Sequence, residues 1–91
     1  MAEFWSGALY LKENPLARAV FDVVTKNLGI SGYGIARQLD KNPLLVQEAL
    51  SSLREKQLVS GSAELSDNFT LTGTGFGVKQ VISSYPEPAK V

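Results

Sequence analysis

Ile35-Ala36-Arg37-Gln38-Leu39 runs into Asp40-Lys41-Asn42-Pro43, then Leu44-Leu45-Val46-Gln47-Glu48-Ala49-Leu50, then Ser51-Ser52-Leu53-Arg54-Glu55-Lys56-Gln57-Leu58-Val59. Val46, Ala49, Leu50 and Leu53 recur at helical spacing and form one apolar stripe. Asn42 followed by Pro43 is a start signal for that helix. The Asn side chain accepts from a free backbone N–H, and proline loses nothing at the first helical position. Ile35, Ala36 and Leu39 give the preceding segment its own short apolar face, so the stretch reads as two helices separated by a tight turn. The second of them is predicted to end near Lys56.

Upstream, Asn14-Pro15 repeats the cap-and-proline device, and Leu16, Val20, Val23, Val24 and Leu28 predict a helix from Pro15 to about Asn27, stopping near Gly29. Ser31 opens the next helix, which carries Tyr33, Ile35, Ala36 and Leu39 toward the core despite Gly32 and Gly34 weakening its first turn. Downstream, Leu58-Val59 is apolar and β-branched. Ala63 to Leu65 and Phe69 to Leu71 flank the turn-forming Ser66-Asp67-Asn68, which predicts a hairpin. Phe76, Val78, Val81 and Ile82 predict a closing helix, and Pro86-Glu87-Pro88 ends regular structure.

In this order the elements resemble the winged helix-turn-helix superfamily, particularly small bacterial and archaeal transcription regulators of the MarR, ArsR and PadR kind. Ile35–Leu39 matches the first helix of the motif, Asn42-Pro43-Leu44-Leu45-Val46 the start of the recognition helix, and Leu50 to Val59 its exit. Leu71-Thr72-Gly73-Thr74-Gly75 is similar to the Leu-Thr-x-x-Gly segment that leaves the wing. The resemblance implies an α+β winged helix: a three-helix core, a β-hairpin wing, a flanking N-terminal segment and a C-terminal helix. On it we expect an N-terminal arm over 1–14, a winged-helix domain over 15–84 and a flexible tail over 85–91. Gln57 stands where such proteins usually have a glycine in left-handed conformation, and Asp40-Lys41 where they more often have glycine and an apolar residue.

Composition narrows the chemistry. The 91 residues suffice for one small core, and 44% hydrophobic with 20% charged residues is ordinary for a globular domain. Nine Lys and Arg cancel nine Asp and Glu, so no global charge draws the chain to nucleic acid. Cysteine and histidine are absent, which removes disulfides, thiolate metal sites and the usual general base. Serines have no base to activate them and the carboxylates are scattered, so neither an enzyme nor a metal or cofactor site is expected. Gly73-Thr74-Gly75-Phe76-Gly77 lacks the Lys-Ser/Thr ending of a phosphate loop. The apolar run from Phe4 to Leu11 is too short to span a bilayer and has no basic leader, which points to an intracellular protein without membrane association.

Two functional readings remain open. In the DNA-binding form of this fold the start and outer face of the third helix enter the major groove. By resemblance those positions are Leu44, Leu45, Gln47, Glu48, Ser51 and Ser52, with Gln47 and Ser51 as base contacts and Arg37, Lys41 and Arg54 as phosphate contacts. Leu44 or Leu45 is suited to a thymine methyl. Against this, the wing segment from Gly61 to Asn68 has no cation and carries Glu64 and Asp67, which double-stranded DNA repels. The other reading is protein contact or homodimerisation through an apolar patch of Leu44, Leu45 and Leu65, with Phe4 and Trp5 in the N-terminal segment available to pair across a dimer. Residue chemistry favours protein contact and the habits of the superfamily favour DNA, and the balance tips toward a non-catalytic interaction module in a regulatory setting, with a dimeric DNA-binding regulator as the alternative.

Overall fold

The computed structural model describes residues 2–62 and 64–84, with the backbone alone for residues 2–4 and 84. Phe4, Ala63 and the tail expected over 85–91 thus lie wholly or in their side chains outside the described residues. The elements run α1 (Ala2–Glu13), α2 (Pro15–Lys26), β1 (Ile30–Ser31), α3 (Gly32–Leu39), α4 (Pro43–Glu55), β2 (Val59–Ser60), β3 (Asn68–Leu71) and α5 (Gly73–Ser84). The three short strands form one antiparallel sheet in the order β1-β3-β2. The result is an α+β winged helix.

Local chemistry accounts for most helix ends. The Ser31 hydroxyl accepts from the Gly34 N–H at 3.0 Å to start α3, and Asn42 Oδ1 accepts from the Leu44 N–H at 2.8 Å to start α4. Asn14 departs from the expectation. Pro15 does sit at the start of α2, but the Asn14 side chain makes no cap for it; its amide instead donates to the Tyr10 carbonyl at 2.8 Å and so closes α1. Among the described residues, two that are not glycine hold the left-handed conformation: Asp40 at φ 55°, ending α3, and Gln57 at φ 62°, just past α4. The helix exit therefore keeps the usual geometry with a side chain in place of glycine.

The core gathers α1, α2, α3, α4, α5 and the sheet around Leu11, Val20, Phe21, Val24, Ile35, Val46, Leu50, Leu53, Leu58, Phe69 and Val78, each at most 2% exposed. Each residue of the predicted α4 stripe is buried. The N-terminal stripe is a helix laid against both α2 and α5. Its contact with α5 is close because Gly7 has no side chain: a Cβ there would stand 2.8 Å from a Val78 methyl and 3.1 Å from Leu58. Two residues expected to face inward do not. Leu28 lies beyond the end of α2 and is 53% exposed, and Tyr33, in the first turn of α3, is 54% exposed.

The wing differs in its pairing from the sequence expectation. Its arms are β2 and β3, with Val59 opposite Leu71 and Ser60 opposite Thr70, so Leu65 belongs to the connecting loop and not to a strand. Leu65 is drawn away from β3 by α3. Its carbonyl accepts from the Gly32 N–H at 2.8 Å and the Tyr33 N–H at 3.3 Å, and its side chain lies over Gly32, where a Cβ would come within 2.5 Å of it. On the far edge of β3, Ile30 pairs with Phe69 and Ser31 with Asn68. The wing is thereby tied at its base to the start of α3.

Candidate nucleic-acid interface

Helix α4 buries Val46, Ala49, Leu50 and Leu53 and turns its other side outward. Leu44, Glu48 and Ser51 are exposed and Gln47 and Ser52 half-buried, so successive turns from the capped N-terminus present Leu44, then Gln47 and Glu48, then Ser51. The two leucines diverge, as neighbouring helical positions must. Leu44 is 66% exposed, the most open of the large apolar side chains described. Leu45, at 45%, lines a cleft of about 260 Å³ with Tyr10, Asn14 and Leu16, where the junction of α1 and α2 approaches α4.

The patch that joined these leucines to the wing is not formed. Leu65 is only 8% exposed, because the contacts with Gly32 and Tyr33 fold it into the core. An interface role for its side chain is thus corrected. Trp5 stands half-exposed on α1, with Leu9 one turn along it.

The expected cations fall into two kinds. Arg37, on α3, and Lys41, in the turn between α3 and α4, are exposed and flank the start of α4. Arg54 is half-buried, and its Nε donates to the Gly61 carbonyl at 3.1 Å, which fastens the end of α4 to the beginning of the wing loop. That bond gives Arg54 a structural task which sequence reasoning did not assign. Gln47 and Ser51 border the same region of the wing, beside Ser62, Leu65 and Phe69.

The wing is anionic. Glu64 is exposed. The Asp67 carboxyl is held below its ordinary value of 3.8, first by the Asn68 backbone N–H, which donates to it at 2.8 Å, and then by the Ser62 hydroxyl. It is therefore charged at neutral pH.

Sequence reasoning missed Tyr33, which it placed in the core. The hint was its neighbours: glycines on both sides leave no bulk to bury it, and Arg37 follows one turn later on the same exposed face. Among the described residues no group of His, Cys, Asp and Glu is placed to hold a metal ion, and no helix is long and apolar enough to cross a membrane.

No family model matches the chain, and no curated protein sequence matches it. Solved structures do. The transcriptional regulator SlyA is similar over 91% of this chain and 63% of its own, with 19% identity and a TM-score of 0.64. A variant of Staphylococcus aureus MepR bound to an oligodeoxyribonucleotide is similar over 98% of this chain and 79% of its own, with 17% identity and a TM-score of 0.61. The S. aureus MepR–DNA complex matches 91% of this chain and 74% of its own, at 17% identity and a TM-score of 0.57. The chain therefore spans less than two thirds of SlyA. At such identities the likeness is one of fold alone, that of a winged helix.

Proposed function

We propose that this chain is a DNA-binding module of a transcription regulator, which sets the outward face of α4 into the major groove. The observation that carries this reading is the outward face of α4 itself. Its N-terminal turn is fixed by the Asn42 cap, its readers Leu44, Glu48 and Ser51 are exposed with Gln47 half-buried among them, and Arg37 and Lys41 stand exposed at its shoulder. The likeness in fold to two DNA-bound structures supports the same use. Trp5 and Leu9 on α1 and Phe76 on α5 are exposed apolar groups available for pairing two copies, and such pairing would give the two-fold arrangement that a palindromic site requires.

The test is a titration of labelled random-sequence duplex at low salt. Binding near micromolar strength that falls steeply with added salt, and weakens in Arg37→Ala and Lys41→Ala, is the expected result. No binding at low salt overturns the reading. A second reading, protein contact through Leu44 and Leu45, draws on the exposure of both leucines. It predicts self-association or partner binding that Leu44→Glu abolishes while duplex DNA remains unbound.

A further inference from the structure

Helix α4 contains one cation, Arg54, and that side chain is turned to the Gly61 carbonyl near the helix C-terminus. Guanine is read in the major groove chiefly by Arg or Lys on its O6 and N7. The outward turns of α4 therefore have no guanine reader, and what they offer instead is a large apolar side chain followed one turn later by a carboxylate. Leu44 is the leading group. It sits in the first turn of the helix, the part of a recognition helix that reaches base edges, and the bond from its own N–H to Asn42 Oδ1 fixes where its Cα stands. Leu45, which sequence alone leaves as an equal candidate, faces the cleft beside Tyr10 and Leu16.

We infer that Leu44 is a specificity-determining residue that reads the 5-methyl group of thymine. The inference rests on the DNA-binding reading proposed above and adds the base that this helix selects. An exposed leucine at a groove-facing position has no polar function to satisfy, and the thymine methyl is the apolar feature of the major-groove edge. Burying one methyl-sized group against it corresponds to about a fourfold gain in affinity. Glu48 lies on the same face one helical turn on, where a carboxylate accepts from the cytosine amino group and is repelled by guanine O6.

The test begins with duplexes selected from a random pool by the whole chain, followed by replacement of each thymine in the enriched site by deoxyuridine, which deletes the methyl alone. Loss of about fourfold in affinity at one thymine per half-site is expected, and Leu44→Ala should bind thymine and deoxyuridine duplexes equally. Because Leu44 is exposed, the variant keeps the wild-type thermal transition, which is measured alongside. Enriched sites in which deoxyuridine is silent, or a Leu44→Ala variant that still discriminates, overturn the role of Leu44 and leave the DNA-binding reading standing. Failure to enrich any duplex overturns both. In that case a monomeric Leu44→Glu beside a self-associated wild type in sedimentation assigns the leucine to protein contact.

Discussion

The Lys56 ammonium lies 5.2 Å from the centroid of the Tyr10 ring, joining the residue that ends α4 to the first helix of the chain. The same Tyr10 receives the Asn14 amide on its carbonyl, so one residue connects the α1–α2 corner to the far end of the candidate recognition helix. A cation over an exposed aromatic face contributes about 0.5–1 kcal/mol. Lys56→Met is expected to lower unfolding stability by no more than about 1 kcal/mol in urea denaturation, and Tyr10→Leu with Lys56→Met to lose less than the sum of the single changes.

Gln57 holds φ 62°, and the left-handed conformation costs a side-chain-bearing residue about 1 kcal/mol. Gln57→Gly relieves that strain and loses part of the gain to the freer unfolded chain. We expect a net stabilisation below about 1 kcal/mol, read as a raised denaturation midpoint with an unchanged slope. The Thr72 hydroxyl bonds to the Gln57 backbone carbonyl and is unaffected by the substitution.

These two residues show what is readable from sequence. The caps at Ser31 and Asn42 and the buried stripe of Val46, Ala49, Leu50 and Leu53 follow from chain-local signals, whereas the left-handed position after α4 is implied only by the resemblance. The contact between Tyr10 and Lys56 is not local and leaves no periodic trace. β1 is two residues long, too short for any alternation to register. Leu65 looked like a strand residue and an exposed one because its partners, the Gly32 and Tyr33 amides, lie on another element. At the candidate site, the outward positions of α4 followed from the helical period, whereas the engagement of Arg54 with Gly61 depended on where the wing loop passes.

A Cβ on Gly75 would stand 2.0 Å from the Leu58 carbonyl oxygen. The Leu58 backbone leaves little room to yield, so Gly75→Ala is expected to destabilise by about 3 kcal/mol, the upper end for overpacking. Gly73, with nothing within 4 Å of such a Cβ, is the control, and Gly73→Ala should change the thermal midpoint little. Equal effects at the two positions, measured by calorimetry, would contradict the packing described for the start of α5.

The lowered Asp67 value carries a definite sign. A carboxyl held below 3.8 in the folded chain, by the Asn68 N–H and then the Ser62 hydroxyl, contributes stability that is present above pH 3.8. This contribution is lost as pH falls through the lowered value. The Asp67 side-chain carbon should titrate by NMR with a midpoint under 3.8, and Ser62→Ala should move that midpoint upward. The stability difference between wild type and Asp67→Ala should shrink in acid.

Glu64 is exposed on the wing and, on the DNA-binding reading, faces phosphate with the wrong sign. Glu64→Lys should tighten random-duplex binding and steepen the slope of log K against log salt by about 1, the signature of one more phosphate contact. An unchanged slope would mean that the wing stays clear of the duplex.

The seating of Gly7 against Val78 brings the opening helix beside the closing one. During synthesis α1 therefore leaves the ribosome before α5 exists, and the face of α1 around Gly7 that meets Val78 waits unpaired until α5 has been translated. A nascent chain halted before α5 should present that face of α1 to chaperones, and release of α5 should end the association.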